Sequence, residues 1–371
     1  MASPATGAYP RRVTEPRVQL ADLGWEESWQ EALSAAASTA LDEALPTGMP
    51  GRVARVDRGM CTVLTAAGPV RATLGGDVLH ALAADANAAP CTGDWALVRQ
   101  WPDGPVTIEA LAPRRTSLIR AEAYKGSRAQ VLAANVDVVA AVVALHPEPN
   151  LGRIERLLAV AWESGATPAV VLTKADLVVD SDEIAEDVRA AATGVTVVCC
   201  STETGRGLPQ VRGLLSGGRT MVLVGASGHG KSTLTNALVG ADVLTTRQIR
   251  DDGRGRHTSV RRELLLVPGG GALIDTPGLR GVGLQRDGGS LGAAFPDVES
   301  LTEACRFGNC RHVGEPGCAV LEAVASGELP VRRHESWLKL RRELDRAEAR
   351  VAARMRSSGP RPSGRVTYWS H

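Results

Sequence analysis

The run Gly225-Ala226-Ser227-Gly228-His229-Gly230-Lys231-Ser232 combines the residue types that a chain of phosphates requires. Its glycines let backbone N–H groups turn toward anionic oxygens, and a helix N-terminus adds positive dipole. Lys231 is placed to reach the outer phosphates, and the Ser232 hydroxyl to bind Mg2+. An apolar stretch, 221–224, leads into the run, and Thr233-Leu234-Thr235-Asn236-Ala237-Leu238 leads out of it. That is the strand, loop and helix context such a cradle works in. The chain holds only four lysines, so chance is a poor explanation for one at this point.

Two further segments bear on which nucleotide is held. Asp275-Thr276-Pro277-Gly278 ends a strand-like run about fifty residues downstream; Asp275 suits a Mg2+ held through water, and the Gly278 N–H suits γ-phosphate sensing. Thr173-Lys174-Ala175-Asp176 follows the apolar run 169–172. A carboxylate at Asp176 can accept two hydrogen bonds from the edge of guanine, whereas adenine would leave it unpaired, so the pair selects GTP over ATP. Ser201-Thr202, after 197–200, is similar to the loop that meets the guanine carbonyl through backbone N–H groups. The guanine segment precedes the phosphate loop by about fifty residues, the reverse of the ordinary order. Chain ends of a domain are often close, so a permuted connection can leave a site unchanged in space.

A third constellation is Cys305-x4-Cys310-x-His312-x5-Cys318. Three thiolates and an imidazole make a closed tetrahedral set, which predicts one structural, non-catalytic zinc per chain. The other four cysteines, Cys61, Cys91, Cys199 and Cys200, are scattered or adjacent, and seven in a chain of 371 residues make no disulfide framework.

The elements that must position these residues follow from periodicity. Apolar runs at 137–145, 169–172, 196–199, 220–224, 263–267 and 272–274 alternate with helix-like stretches, which predicts a mostly parallel sheet covered by helices. In such sheets ligands sit at the carboxyl ends of the strands, where the motifs fall. Ahead of it, short strand-like pieces at 51–56, 61–65, 70–74 and 95–98, punctuated by glycine, predict a small barrel. The strand pattern fits an OB-type barrel and other small barrels equally. Trp25, Trp29, Leu33, Ala37 and Leu41 share one face of a helix predicted over 25–45. A long helix rich in arginine is predicted over 334–355, and 357–371 reads as an unstructured end.

Composition narrows the class. At 44% hydrophobic and 22% charged the chain can bury a sizeable core, and aromatics at 3% argue against a surface of stacked rings. No apolar run approaches the roughly 20 residues of a membrane helix. Arg11 and Arg12 have no apolar stretch behind them, so no secretory signal is expected and the location is expected to be cytoplasmic. Residues 330–371 carry eleven Lys or Arg against four acids; a net +7 there leaves −6 for the rest. A basic tail on a near-neutral chain suits either a polyanionic partner or a solvated helix face.

Taken together these segments resemble the circularly permuted family called ribosome small subunit-dependent GTPase A. The resemblance covers about residues 49–350: the barrel, the Asn135-Val136-Asp137-Val138 start, the three nucleotide segments in permuted order, Gly253-Arg254-Gly255-Arg256-His257-Thr258, and the Cys/His cluster. It implies an N-terminal extension (1–48, partly helical), an OB-type barrel (49–114), a permuted P-loop GTPase domain (115–290) and a zinc-binding, mainly helical C-terminal domain with a basic tail (291–371). It also implies binding to the small ribosomal subunit and its rRNA, late subunit maturation and subunit-stimulated hydrolysis of GTP to GDP and phosphate. The chain is expected to work as a monomer without a membrane. Three features depart from the commonest pattern. Thr173 stands where Asn is frequent, His229 where Val is usual, and the extension lies outside the match.

Common GTPases orient the attacking water with a Gln just after the glycine of the DxxG segment; here Leu279 stands there and cannot. The resemblance points to His257 as its substitute, since imidazole can orient or deprotonate water near neutral pH. A contact of His257 with RNA or solvent is the other reading. Thr258 is the first choice for a switch Mg2+ ligand beside Ser232 and Asp275, with Ser259 second. The nucleotide-contacting set is then Thr173, Lys174, Asp176, Ser201, Thr202, Gly225, Ala226, Ser227, Gly228, His229, Gly230, Lys231, Ser232, Thr233, Asp275 and Gly278, with Lys231, His257 and Thr258 also catalytic. The alternative function is a nucleotide-gated RNA-binding or signalling module in which hydrolysis is incidental.

Overall fold

The structure, a computed structural model, describes residues 19–37, 48–102, 104–120, 130–240, 262–275, 284 and 289–357. A 3-10 turn, Leu20–Leu23, opens the described chain and α1, Glu27–Ala37, follows. The predicted helix over 25–45 is therefore shorter at its start. Gly24 in the left-handed region closes the 3-10 turn, and the Trp25 N–H bonds Leu20 O, which keeps Trp25 out of the helix. Residues 38–47 lie outside the described residues.

The barrel comprises β1 (Met49–Asp57), β2 (Met60–Thr65), β3 (Gly68–Leu74), α2 (Gly76–Ala84), β4 (Trp95–Gln100) and β5 (Val106–Leu111). Strands pair in the order β1-β2-β3-β5-β4, and β4 closes back on β1 with Met49 opposite Val98. Only the β3–β5 pair is parallel. This is a closed five-stranded barrel of OB type. Alternation fills it: Val53, Val63, Ala72, Ala96, Val98 and Ile108 all point inward and are fully buried. The strand-like pieces at 51–56, 61–65, 70–74 and 95–98 fall on four of the five strands. The fifth, β5, alternates apolar and polar residues but starts immediately after Pro105, which hides it in the sequence.

A hairpin of β6 (Ser117–Arg120) and β7 (Gln130–Ala134) follows. Then come β8 (Val138–Ala144), α3 (Leu151–Glu163), β9 (Thr167–Thr173), α4 (Ser181–Ala191), β10 (Thr196–Cys199), α5 (Leu208–Gly213), β11 (Thr220–Val224), α6 (Lys231–Val239), β12 (Glu263–Leu266) and β13 (Ala272–Asp275). The sheet order is β10-β9-β8-β11-β13-β12, parallel except for β12. β8 is buried along its whole length and serves two cores. Val139, Ala141 and Val143 face the layer that contains α3, while Val138, Ala140 and Val142 face the layer of α5 and α6. A strand sandwiched this way needs small β-branched and Ala residues throughout, which is why it reads as a continuous apolar run.

The two sheets are one. β12 pairs with β1 through Arg55 opposite Glu263, so eleven strands run from β10 into the barrel. After β13 come α7 (Ser290–Ala294), α8 (Pro296–Glu303), α9 (Ala319–Ser326) and α10 (Val331–Ser357). Arg333 of α10 is buried and holds these helices together. It donates to Glu155 of α3 at 2.9 Å, to Asp297 of α8 at 2.7 and 2.8 Å, and to the carbonyls of Ala191 and Ala294. Its guanidinium also lies over the Phe295 ring. No helix among the described residues is long and apolar enough to cross a membrane.

Candidate functional site

The carboxyl ends of β8, β9, β11 and β13 meet on one rim, where the chain reverses from one half of the sheet to the other. The phosphate loop leaves β11 and enters α6 at Lys231. Its shape depends on a close approach to β8. At Gly225, φ is +146° and an added Cβ would lie 2.2 Å from Val142 O, so no other residue fits. The His229 ring meets the same carbonyl, Nδ1 to O 3.3 Å. Burial holds the His229 imidazole below the usual histidine range, and Lys231, Arg153 and Lys174 push the same way against that hydrogen bond. The ring is thus neutral near pH 7 and donates through Nδ1. Lys231 Nζ folds onto the loop's own carbonyls, 3.0 Å to Gly225 O and 2.6 Å to Ala226 O. Ser227, Gly228, Ser232 and Thr233 are exposed on the open side, with Ala226 and Gly230 half-buried.

The guanine segment joins this loop directly. Thr173 is buried at the end of β9, and its hydroxyl donates to His229 O at 2.7 Å. Lys174 takes a left-handed conformation, φ 60°, which swings the following 3-10 turn outward and exposes Asp176. The Ser201 hydroxyl donates to Asp176 Oδ1 and fixes the carboxylate. The Ser201 N–H is spent on Arg206 O, so Ser201 contributes its hydroxyl where a free backbone donor was expected. Thr202 follows, half-buried in the same loop. Asp275 ends β13. Burial raises its carboxyl above the ordinary aspartate range, the Lys231 ammonium pulls it back down, and Glu263, opposite on β12, raises it further.

The rim therefore gathers a cradle of backbone groups, a lysine, the exposed hydroxyls of Ser227, Ser232 and Thr233, and carboxylates at its two ends. This suits a guanine nucleotide with its phosphates in the loop and its base against Asp176. His257, Thr258 and Gly278, with Ser259 and Leu279, lie outside the described residues. The Val142 carbonyl, on which both Gly225 and His229 lean, was invisible to sequence reasoning because a backbone atom leaves no signature in residue type.

A second cluster lies beyond α8. The ligand atoms of Cys305, Cys310, His312 and Cys318 all fall within 4.8 Å of one another. His312 Nδ1 is 3.5 Å from both Cys305 Sγ and Cys318 Sγ, and those two sulfurs are 3.9 Å apart. Sulfurs held about 2.3 Å from a tetrahedral metal stand roughly 3.8 Å apart, so the donor set fits such an ion. The surrounding turn is prepared for it. Glu315 accepts backbone hydrogen bonds from Arg311, Val313 and Gly314, which hold its carboxyl down at about 2. The His312 ring packs edge-on against Trp337 of α10, and His312 O lies 3.0 Å from His334 Nε2.

Fold and rim together define a P-loop GTPase whose guanine segment comes before its phosphate loop. Residues 111–285 match the model of the RsgA GTPase family. The "Small ribosomal subunit biogenesis GTPase RsgA" of Streptomyces coelicolor is 51% identical, over 83% of this chain and 84% of that protein. A relative from Lactiplantibacillus plantarum, "RsgA 2", is 41% identical over 79% and 83%. Among solved structures, YjeQ from Thermotoga maritima is similar at TM-score 0.61 and 27% identity, covering 80% of this chain and 98% of that one. YloQ, described as a circularly permuted GTPase, shares the fold at TM-score 0.55, 20% identity and coverage of 87% and 100%. The chain belongs to the RsgA GTPase family and is a GTP hydrolase.

Proposed function

We propose that this GTPase binds the small ribosomal subunit and its rRNA, assists late subunit maturation, and turns GTP over faster when the subunit is bound. The observation that carries the nucleotide half is the Thr173–His229 hydrogen bond, which couples the guanine segment to the phosphate cradle. The relatives' printed role in small-subunit biogenesis supports the other half. In this reading the Gly225–Ser232 amides hold the phosphates, Lys231 turns from Gly225 O and Ala226 O to the outer phosphates, and Asp176 reads the base. Ser232 and Asp275, with Thr258, would hold the Mg2+ that accompanies GTP and neutralises phosphate charge. His257 orients the water, and Gly278 senses the γ-phosphate. Residues 1–48, 49–114, 115–290 and 291–371 act as extension, barrel, GTPase domain and metal-bearing basic domain. Cys305, Cys310, His312 and Cys318 hold one structural zinc, and the protein works as a cytoplasmic monomer.

GTP hydrolysis measured with and without purified small subunits tests the proposal. The expected result is slow intrinsic turnover that rises at least about tenfold with subunits and loses that rise in His257→Ala. Equal rates with and without subunits would mean a nucleotide-gated binding module instead. Unchanged stimulation in His257→Ala would remove the catalytic assignment alone.

A further inference from the structure

The segment before the barrel carries no motif, yet three parts of the molecule converge on its backbone. Leu23 O accepts from the buried Arg52 of β1, whose other nitrogens reach Gly93 O at 2.8 Å and Asn135 O at 2.7 Å. Asp22 O accepts from Gly271 N at 2.9 Å, in the turn between β12 and β13. Gly24 lies against Gly218, in the turn before β11, so closely that a Cβ on Gly218 would meet Ala21 O at 2.4 Å. Downstream, Trp25 and Trp29 cover Trp95 of β4, and Arg115 lies 3.8 Å above the Trp29 ring while it pairs with Glu26. Leu23, Trp29, Leu33 and Ala37 are buried in the core shared by barrel and GTPase sheet.

The barrel also bonds the GTPase domain ahead of β8, through Thr92 O to Ala134 N at 3.0 Å and Gly93 O to Asn135 Nδ2 at 3.2 Å, but its direct bonds to the β12–β13 hairpin are few. β1 and β12 share one ladder pair, and the Arg55–Glu263 ion pair spans 3.7 Å in a partly exposed setting, where such pairs hold weakly. We propose that residues 20–37 form a brace that positions the β12–β13 hairpin, and with it Asp275, against the barrel. The hairpin is held at its turn through Asp22 and at its open end through Arg55. A displacement of the barrel therefore reaches the strand that carries Asp275. The nucleotide consequence rests on the assignment of Asp275 to the GTP site; the mechanical statement does not.

Gly218→Ala and Gly24→Ala each place a methyl between the two backbones from opposite sides, far from the rim, so a folding failure in one leaves the other to decide. Hydrogen–deuterium exchange of the full-length variants is the test. Amides of residues 263–275 are expected to exchange at least about tenfold faster while β8 and β9 keep their protection. GTP affinity is expected to fall roughly three- to tenfold. Wild-type protection of the hairpin, or acceleration spread evenly over β8 and β9, overturns the brace. Asp275→Asn is measured alongside. If it leaves GTP affinity unchanged, the site assignment fails, and the exchange data still judge the brace.

Discussion

Thr173 gives its single hydroxyl proton to His229 O, which ties the Thr173–Asp176 turn to the Gly225–Ser232 loop; in the proposed reading, base recognition and phosphate binding then depend on each other. Thr173→Val keeps the shape and strands that carbonyl, a loss of about 1–3 kcal/mol. Titration calorimetry should show GTP binding weaker by about tenfold, with preference over ATP intact because Asp176 is untouched. Asp176→Asn should do the opposite. It replaces an acceptor-only group, so GTP affinity should drop by on the order of 10² while xanthine nucleotide, which offers an acceptor there, binds better. His229 adds a pH signature. Its folded pKa lies below the unfolded value of about 6.5, so its contribution is complete above that pH. As pH falls from there toward the folded pKa, the unfolded chain takes up the proton first and stability is lost. His229→Val should flatten that part of the acid limb in urea midpoints measured between about pH 5 and 8. The residue types at Lys231, Asp176 and Asp275 were legible from the sequence because side-chain chemistry dictates them. What Thr173 would bind was not, since its acceptor is a main-chain oxygen 56 residues away.

Among the elements, α10 is attached through charge as much as through apolar packing. Glu155 is fully buried and is paired by both Arg332 and Arg333. Arg333→Met leaves a buried carboxylate with one partly exposed cation, a loss of about 3–5 kcal/mol that denaturant unfolding would register. Glu155→Leu made together with it should recover much of the loss, because the lone charge then disappears. The Cys/His turn gives a separate prediction. Metal analysis should find one zinc per chain, and its removal with a chelator should lower the melting temperature while leaving GTP binding near normal. Apolar elements such as β8 and β11 are readable because burial on both faces enforces an almost unbroken apolar run. The β6–β7 hairpin and α2 are not. The former has strands of only four and five residues, and the latter starts at a Gly-Gly pair that reads as a turn. The extension shows only packing in its sequence, because its bonds run through backbone carbonyls to Arg52 and Gly271.

On the scale of the whole molecule, the barrel lies along the outer side of β12 and, among the described residues, leaves β10 as the unpaired margin of the eleven-stranded sheet. A strand at the rim of a sheet presents unmet N–H and C=O groups that invite another chain. Cutting the protein at the barrel boundary therefore does more than remove a module. It uncovers the side of β12 that meets β1 at Glu263, beside the Leu264 and Leu266 side chains. A fragment spanning 115–290 should accordingly associate with itself as its concentration rises in sedimentation velocity, under conditions where the intact chain does not. If the fragment stays monomeric throughout, β12 needs no cover. If it associates, the barrel is also the guard that keeps this GTPase sheet from growing.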